Sequence, residues 1–201
     1  MKRGLEEASL HYHSQLPGSR GEEYLLKDRG LTKEIVDFFR LGFVETPLTG
    51  DDMFRGMVSI PFLTKTGPVA IQYRAIVDKE PRFLSKGSTK RLFNPSVLLS
   101  PHRTVYICEG PIDTLTVSCL GLPAVGVPGV SQWSGVFARA FRNRKVVVLA
   151  DGDDNGQGEQ MATRILGDVE ECDIILFDGE DVNSFWLKHG EKELRKKLGV
   201  Q

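Results

Sequence analysis

Three apolar runs in this chain each end on acidic residues. TVYIC leads into Glu109-Gly110-Pro111-Ile112-Asp113, KVVVLA into Asp151-Gly152-Asp153-Asp154-Asn155-Gly156, and DIILF into Asp178-Gly179-Glu180-Asp181-Val182-Asn183. If the runs are neighbouring parallel strands, their tips point the same way and gather the carboxylates at one edge. Repulsion there is costly unless divalent cations occupy the space between them. The donors are oxygens alone, which implies Mg²⁺ or Mn²⁺, since Zn²⁺ usually calls for His or Cys. Taken singly, each piece has a plainer reading. An acid after a strand is most often a helix N-cap, and Asp151 to Gly156 alone could be a turn or a calcium-like loop. That loop lacks the glutamate an EF-hand needs at its twelfth position, where Ala162 stands. Three such ends together, each with an adjacent glycine that lets backbone approach a ligand, point to a site centred on Glu109, Asp113, Asp151 and Asp153.

The charges along the chain suggest what that site would act on. Between Arg55 and Arg91 the cations are Arg55, Lys65, Arg74, Lys79, Arg82, Lys86, Lys90 and Arg91, against Asp78 and Glu80 alone. From Val146 to Asn183 the balance reverses, with Arg164 the one cation among eleven acids. A basic stretch ahead of an acidic one suits a phosphate-binding wall facing a carboxylate metal cluster. Any one of these cations could equally be a solvated surface residue. Tyr73 and Phe83 are interleaved with Arg74 and Arg82; they could stack on the bases of a single strand or pack within a hairpin.

The elements that must position these groups are legible in the pattern. From Thr104 onward, strand and helix alternate: TVYIC, a helix over Pro111 to Leu120, PAVGV, a helix over Gln132 to Phe141, KVVVLA, a helix over Gly158 to Leu166, DIILF and a closing helix. This alternation implies βαβ units and a parallel sheet buried on both faces, with ligands at the carboxyl ends of the strands. Upstream, Glu22 to Phe39 reads as two short helices interrupted by Gly30. MVSIPFL and PVAIQYRAIV around a Lys65-Thr66-Gly67 turn read as a β-hairpin. DKEPRFLSKGSTKRLFNPS, rich in Pro, Gly, Ser and cations, reads as a surface loop and as the boundary between two parts. There is no internal repeat or low-complexity tract.

Composition narrows the classes. The 201 residues suffice for one full domain with a smaller companion, and a net charge of −1 hides the asymmetry just described. Cys108, Cys119 and Cys172 are far apart in apolar surroundings, which suggests reduced core residues and neither a disulfide framework nor a zinc cluster. The opening MKRGLEEASLHYH is polar and mixed, and no apolar run reaches membrane-spanning length, so a cytoplasmic protein that is neither exported nor anchored is expected. His11 and His13, in that polar opening, are expected to be exposed, as are His102 and His189. Trp133 and Trp186 sit on helical patterns and read as core or interface.

CEGPIDTLTV and LADGDDNGQG together resemble the TOPRIM pattern, a Glu-Gly-x-x-Asp element followed by Asp-x-Asp, shared by DnaG-type primases, topoisomerases and several nucleases. Within that group, roughly Glu22 to Gly190 is similar to the catalytic core of bacterial and phage DnaG-type primases. FRGMVSIPFLTKTGPVAIQYRAI, RFLSKGSTKRLFNPSVLL and LFDGEDVNSF resemble three further segments of that core. The resemblance implies an α/β fold: a TOPRIM parallel-sheet domain over 101–201, a small α+β module of helices and a β-hairpin over 1–100, and an active cleft between them. It implies Glu109 as general base or metal-linked acid, and Asp113, Asp151, Asp153 and Asp181 as metal-binding carboxylates, with Glu109, Asp113, Asp151 and Asp153 the catalytic set. Arg55, Arg74, Arg82 and Lys86 would hold template or incoming triphosphate.

The reaction implied is synthesis of short RNA primers on single-stranded DNA from nucleoside triphosphates, in the host cytoplasm if the gene is a phage's. The chain departs from the family pattern at Asn183, where the last Asp is usual, and at Val182, where Pro is usual. It also carries no Cys/His ligand set and no helicase-binding part, so a separate zinc-binding or helicase polypeptide is an expected partner. A TOPRIM nuclease and a noncatalytic nucleic-acid-binding subunit of a replisome are the alternatives. A topoisomerase is disfavoured by the short length and the absence of an obvious Tyr nucleophile domain. The basic hairpin module favours the primase over the nuclease, and the intact acidic set disfavours the noncatalytic subunit.

Overall fold

The computed structural model describes residues 2–77, 80–127, 133–152 and 156–200. The chain divides into two compact units, 1–89 and 90–201. Among the described residues, no helix is long and apolar enough to cross a membrane.

The first unit is a four-stranded antiparallel sheet with helices. Helix α1 (Lys2–Ser14) precedes α2 (Arg20–Glu23), which runs through a π-turn (Tyr24–Asp28), and α3 (Lys33–Phe38) follows. The strands β1 (Gly42–Phe43), β2 (Met57–Thr64), β3 (Gly67–Ala75) and β4 (Phe83–Gly87) lie in the order β1-β2-β3-β4. Ser19 and Thr32 cap α2 and α3 by accepting from Glu22 N–H and Ile35 N–H, supplying partners for backbone donors that a helix start leaves open. The two helices and the hairpin expected here are present.

Two features differ from the sequence reading. The polar opening forms α1, because Leu5, Ala8 and Tyr12 recur at helical spacing and bury one face against Met57, Ile71 and Tyr73. The stretch read as a loop contains β4, which pairs with β3 from Ala70↔Gly87 to Arg74↔Phe83. Its side chains alternate between exposed and half-buried, as an edge strand's do, and the cations and glycine masked that alternation.

The second unit is a parallel sheet in the order β6-β5-β7-β8, formed by β5 (Thr104–Cys108), β6 (Ala124–Gly126), β7 (Lys145–Gly152) and β8 (Glu171–Asp178). The intervening helices are α4 (Pro111–Cys119), the short α5 (Gly135–Ala138), α6 (Gln157–Asp168) and α7 (Val182–Lys197), which kinks at Gly190. Residues 90–103 belong to this unit, where Phe93 forms an antiparallel bridge to Gly126. Alternation along the strands sends Val105, Ile107, Val146, Val148 and Ala150 to one face with Met161, Ala162 and Ile165 of α6. Tyr106, Cys108, Val147 and Leu149 go to the other face with Val117 of α4 and Val182 and Leu194 of α7. Each such aliphatic side chain taken from water contributes about 1.5–3 kcal/mol.

Burial on both faces holds for β5 and β7 but not for β8. As the sheet edge, β8 leaves Ile174 and Leu176 more than a third exposed. The helix expected over Gln132 to Phe141 is shorter, with α5 continuing only as a 3-10 turn over Arg139–Phe141; Gln132 itself lies outside the described residues. Trp133 is buried, as expected of a core residue, and Cys108, Cys119 and Cys172 are all free thiols.

Candidate active site and nucleic-acid interface

The parallel register of β5 with β7 and of β7 with β8 puts the carboxyl ends of all three strands at one edge of the second unit. Glu109 follows β5 and Asp151 ends β7. They adjoin, since the Asp151 N–H donates to Glu109 Oε1 at 3.0 Å. The start of α6 closes onto this pair. A Cβ at Gly158 would overlap both the Asp151 carbonyl and the Glu109 carboxylate, so only glycine lets the helix approach so near. Gly152 meets a similar limit. Its N–H donates to Glu180 O at 3.2 Å, its carbonyl accepts from Gly179 N–H at 3.0 Å, and a Cβ there would strike the Phe177 carbonyl.

Asp113 lies in the first turn of α4, a helix that opens on Pro111 where a missing N–H costs nothing. It is 8% exposed. Its Oδ1 accepts from the buried Asn183 N–H at 3.1 Å, and Asn183 Nδ2 donates to Thr116 Oγ1 at 2.9 Å, joining α7 to α4. Asp181 caps α7 by accepting from Ser184 N–H at 2.6 Å. Burial first, and then the charge of Asp181, push the Asp113 carboxyl up to about 7. Asn183 is thus a buried bracket between two helices.

Four of the five expected carboxylates can therefore be placed, as an adjoining pair (Glu109, Asp151) and a second pair (Asp113, Asp181) coupled through their charges. Asp153 lies outside the described residues. Among the described residues, no three His, Cys, Asp or Glu side chains stand together as a ready metal site. The oxygen-only donors on adjoining strand ends fit a hard divalent cation and do not fit a soft one.

In the first unit the four expected cations separate. Arg74 donates to Tyr24 Oη at 2.8 Å and lies 5.0 Å from the Phe83 ring centre. Arg29 donates to the same phenol oxygen at 2.8 Å. Burial, joined by the charges of Arg29 and Arg82, pulls the Arg74 guanidinium down from its ordinary value. Two arginines thus share one tyrosine hydroxyl, one of them lies over an exposed phenylalanine, and the charge of Arg82 bears on it, an arrangement whose mutual repulsion an anion would relieve. Arg55 and Lys86 are engaged elsewhere. Arg55 donates to Glu45 O and pairs with Asp52, while Lys86 pairs with Asp51. Tyr73 is fully buried and stacked on Phe54 with ring centres 3.8 Å apart, so it packs the hairpin, whereas Phe83 is 44% exposed. Sequence reasoning missed Arg29, Tyr24 and Asp51. Arg29 and Tyr24 carry no mark in the sequence, because what joins them to the basic stretch is Arg74 of β3, 50 residues beyond Tyr24.

Residues 104–192 match the family model described as the Toprim domain. The Gene 57 protein of Mycobacterium phage D29 is 34% identical over 154 residues, an alignment covering 73% of this chain and all of that protein. The DNA primase of Haemophilus influenzae is 24% identical over an alignment covering 96% of this chain and 40% of that protein. The chain spans about 40% of the length of the bacterial primases it matches. Among solved structures, a DNA primase domain from Pseudomonas aeruginosa superposes with a TM-score of 0.80 at 24% identity, covering 100% of this chain and 78% of that one. A DnaG catalytic core does so at 0.79 and 20%, covering 98% and 79%. These likenesses show the fold.

Proposed function

The chain belongs, with the phage D29 Gene 57 protein, to a family carrying a Toprim domain on the fold of the DnaG primase catalytic core, and we propose that it synthesises short RNA primers on single-stranded DNA. The observation that carries this reading is the meeting of Arg29 and Arg74 at the Tyr24 hydroxyl, with Arg74 over the exposed Phe83 ring and the charge of Arg82 acting on it, in a unit separate from the Toprim sheet. Forked guanidinium donors suit phosphate oxygens, and an exposed aromatic ring beside them suits a base. A Toprim nuclease of the small kind has no need of such a unit.

In this reading, Arg74 and Arg82, joined by Arg29, hold the phosphates of the template or incoming triphosphate, and Arg55 adds charge at the exposed entry to β2. A Mg²⁺ or Mn²⁺ ion held by Glu109, Asp151, Asp153 and Asp181 supplies, when bound, the charge that acidifies a 3′ hydroxyl and neutralises departing pyrophosphate. Glu109 accepts the proton of the attacking hydroxyl as the new phosphodiester bond forms and the bond to pyrophosphate breaks. Asp151 supplies the fixed backbone N–H that holds Glu109 in place. Asp113 holds α7 against α4 through Asn183, so that Asp181 faces the same edge.

The test is incubation of the purified protein with single-stranded DNA, four ribonucleoside triphosphates (one radiolabelled) and Mg²⁺ or Mn²⁺, with products resolved on a denaturing gel. Short labelled RNA that requires template is the expected result. Shortened template without synthesis would establish a nuclease instead. If neither product forms, repeating the assay with a zinc-binding or helicase polypeptide added separates a partner-dependent core from a nucleic-acid-binding subunit.

A further inference from the structure

Lys86 emerges from β4 on the sheet face that meets α1, opposite Ile71 in the β3–β4 register. Its Nζ lies 2.6 Å and 2.9 Å from the two carboxylate oxygens of Asp51. Asp51 is 2% exposed and also accepts from the Tyr12 hydroxyl at 2.7 Å. The same hydroxyl accepts from Leu48 N–H at 3.2 Å, so the network ties α1, the segment before β2 and β4 to one another.

The chemistry of this network opposes a direct role for Lys86. A carboxylate removed from water needs its counter-ion, and stripping one partner from a buried pair costs more than a partly exposed phosphate contact returns. Lys86 is therefore held where it is. What it holds in turn is β4, the last strand of its sheet, paired along one edge only. Phe83 begins that strand and Arg82 precedes it, and both belong to the arginine cluster.

We propose that Asp51 and Lys86 form a clamp that positions β4, so that Lys86 serves the nucleic-acid site by fixing Arg82 and Phe83 beside Arg74 and not by touching phosphate. The proposal rests on the functional reading above as far as the ligand is concerned. The clamp itself stands on the geometry of the first unit.

The two roles for Lys86 predict opposite signs. Asp51→Asn removes a negative charge that faces the basic 55–91 stretch and releases Lys86. If Lys86 contacts phosphate, this variant binds single-stranded DNA more tightly. If the clamp positions β4, it binds more weakly, by several-fold. The measurement uses the full chain: fluorescence anisotropy with a labelled oligothymidylate across a NaCl series, beside amide hydrogen exchange of the β4 segment. For Asp51→Asn we expect weaker binding, a shallower salt dependence as the Arg82 contact is lost, and faster exchange at 83–87 with the rest of the chain unchanged. Lys86→Arg, which keeps the ion pair, is expected to bind as wild type.

The double variant Asp51→Asn/Lys86→Met removes both charges and guards against misfolding caused by an orphaned buried charge. It is expected to share the fast β4 exchange and weaker binding. Tighter binding by Asp51→Asn, or unchanged β4 exchange in both Asp51→Asn and the double variant, overturns the clamp. Wild-type protein that binds no single-stranded DNA overturns the functional reading, and with it the ligand-directed half of the proposal. β4 exchange decides the clamp separately in that case.

Discussion

Replacing Asp113 with Asn should make the metal-free protein more stable, and the gain should depend on pH. Asp113 is buried beside Asp181, and its carboxyl titrates near 7 in the fold against an ordinary 3.8. The folded state therefore keeps a proton that the unfolded chain has shed. The stability contributed by this raised group is fully present below about pH 4 and is lost as pH rises toward 7. At about 1.4 kcal/mol per pKa unit, the whole change is ~4 kcal/mol, a large part of the 5–15 kcal/mol that typically separates folded from unfolded domains. In Asp113→Asn the amide cannot ionise, and its oxygen can still accept from Asn183 N–H. The variant's advantage over wild type should therefore widen by about 2–3 kcal/mol between pH 5 and pH 8. Urea unfolding in EDTA, followed by tryptophan fluorescence, reads this directly, because Trp133 and Trp186 are the only two tryptophans and both lie in the second unit. A difference between variant and wild type that is the same at both pH values would refute the raised Asp113 pKa.

Asp151→Ala should abolish primer synthesis in the gel assay while leaving the circular dichroism spectrum unchanged; retained synthesis would remove Asp151 from the site. Gly158→Ala forces a methyl group into the Asp151 carbonyl and the Glu109 carboxylate, so it should lower the urea midpoint by an amount worth about 1–3 kcal/mol, and a neutral result would show that α6 does not approach so closely. Among the described residues, the buried Tyr73 hydroxyl has no hydrogen-bond partner. Tyr73→Phe should accordingly be neutral or stabilise by up to about 1 kcal/mol, and a clear loss would reveal a partner for that oxygen. Arg29→Ala should raise the KM for nucleoside triphosphate or weaken template binding while the far-ultraviolet spectrum holds, and unchanged kinetics would exclude it from the phosphate cluster.

The gathering of acidic strand ends at one sheet edge was legible because its logic is local. An apolar run followed at once by Glu109, Asp151 or Asp178 states both the strand and its tip, and parallel pairing then needs no further information to put those tips on one edge. The same locality made the βαβ order readable from Thr104 onward. Helix α1 and strand β4 were obscured because charged residues interrupt their short apolar periods. Packing against Tyr73, and pairing with β3, stabilise them where periodicity alone gave no sign.

Which cations meet was a tertiary decision. Arg29 and Arg74 meet at the Tyr24 hydroxyl, the second across 50 residues, and Lys86 is claimed by Asp51 across 35. A sequence can show that a region is basic, because charge adds up along a chain. Whether a particular lysine faces a phosphate or neutralises a buried carboxylate depends on which oxygens the fold brings within 3 Å, and on the desolvation that makes one of those partnerships far costlier to break than the other.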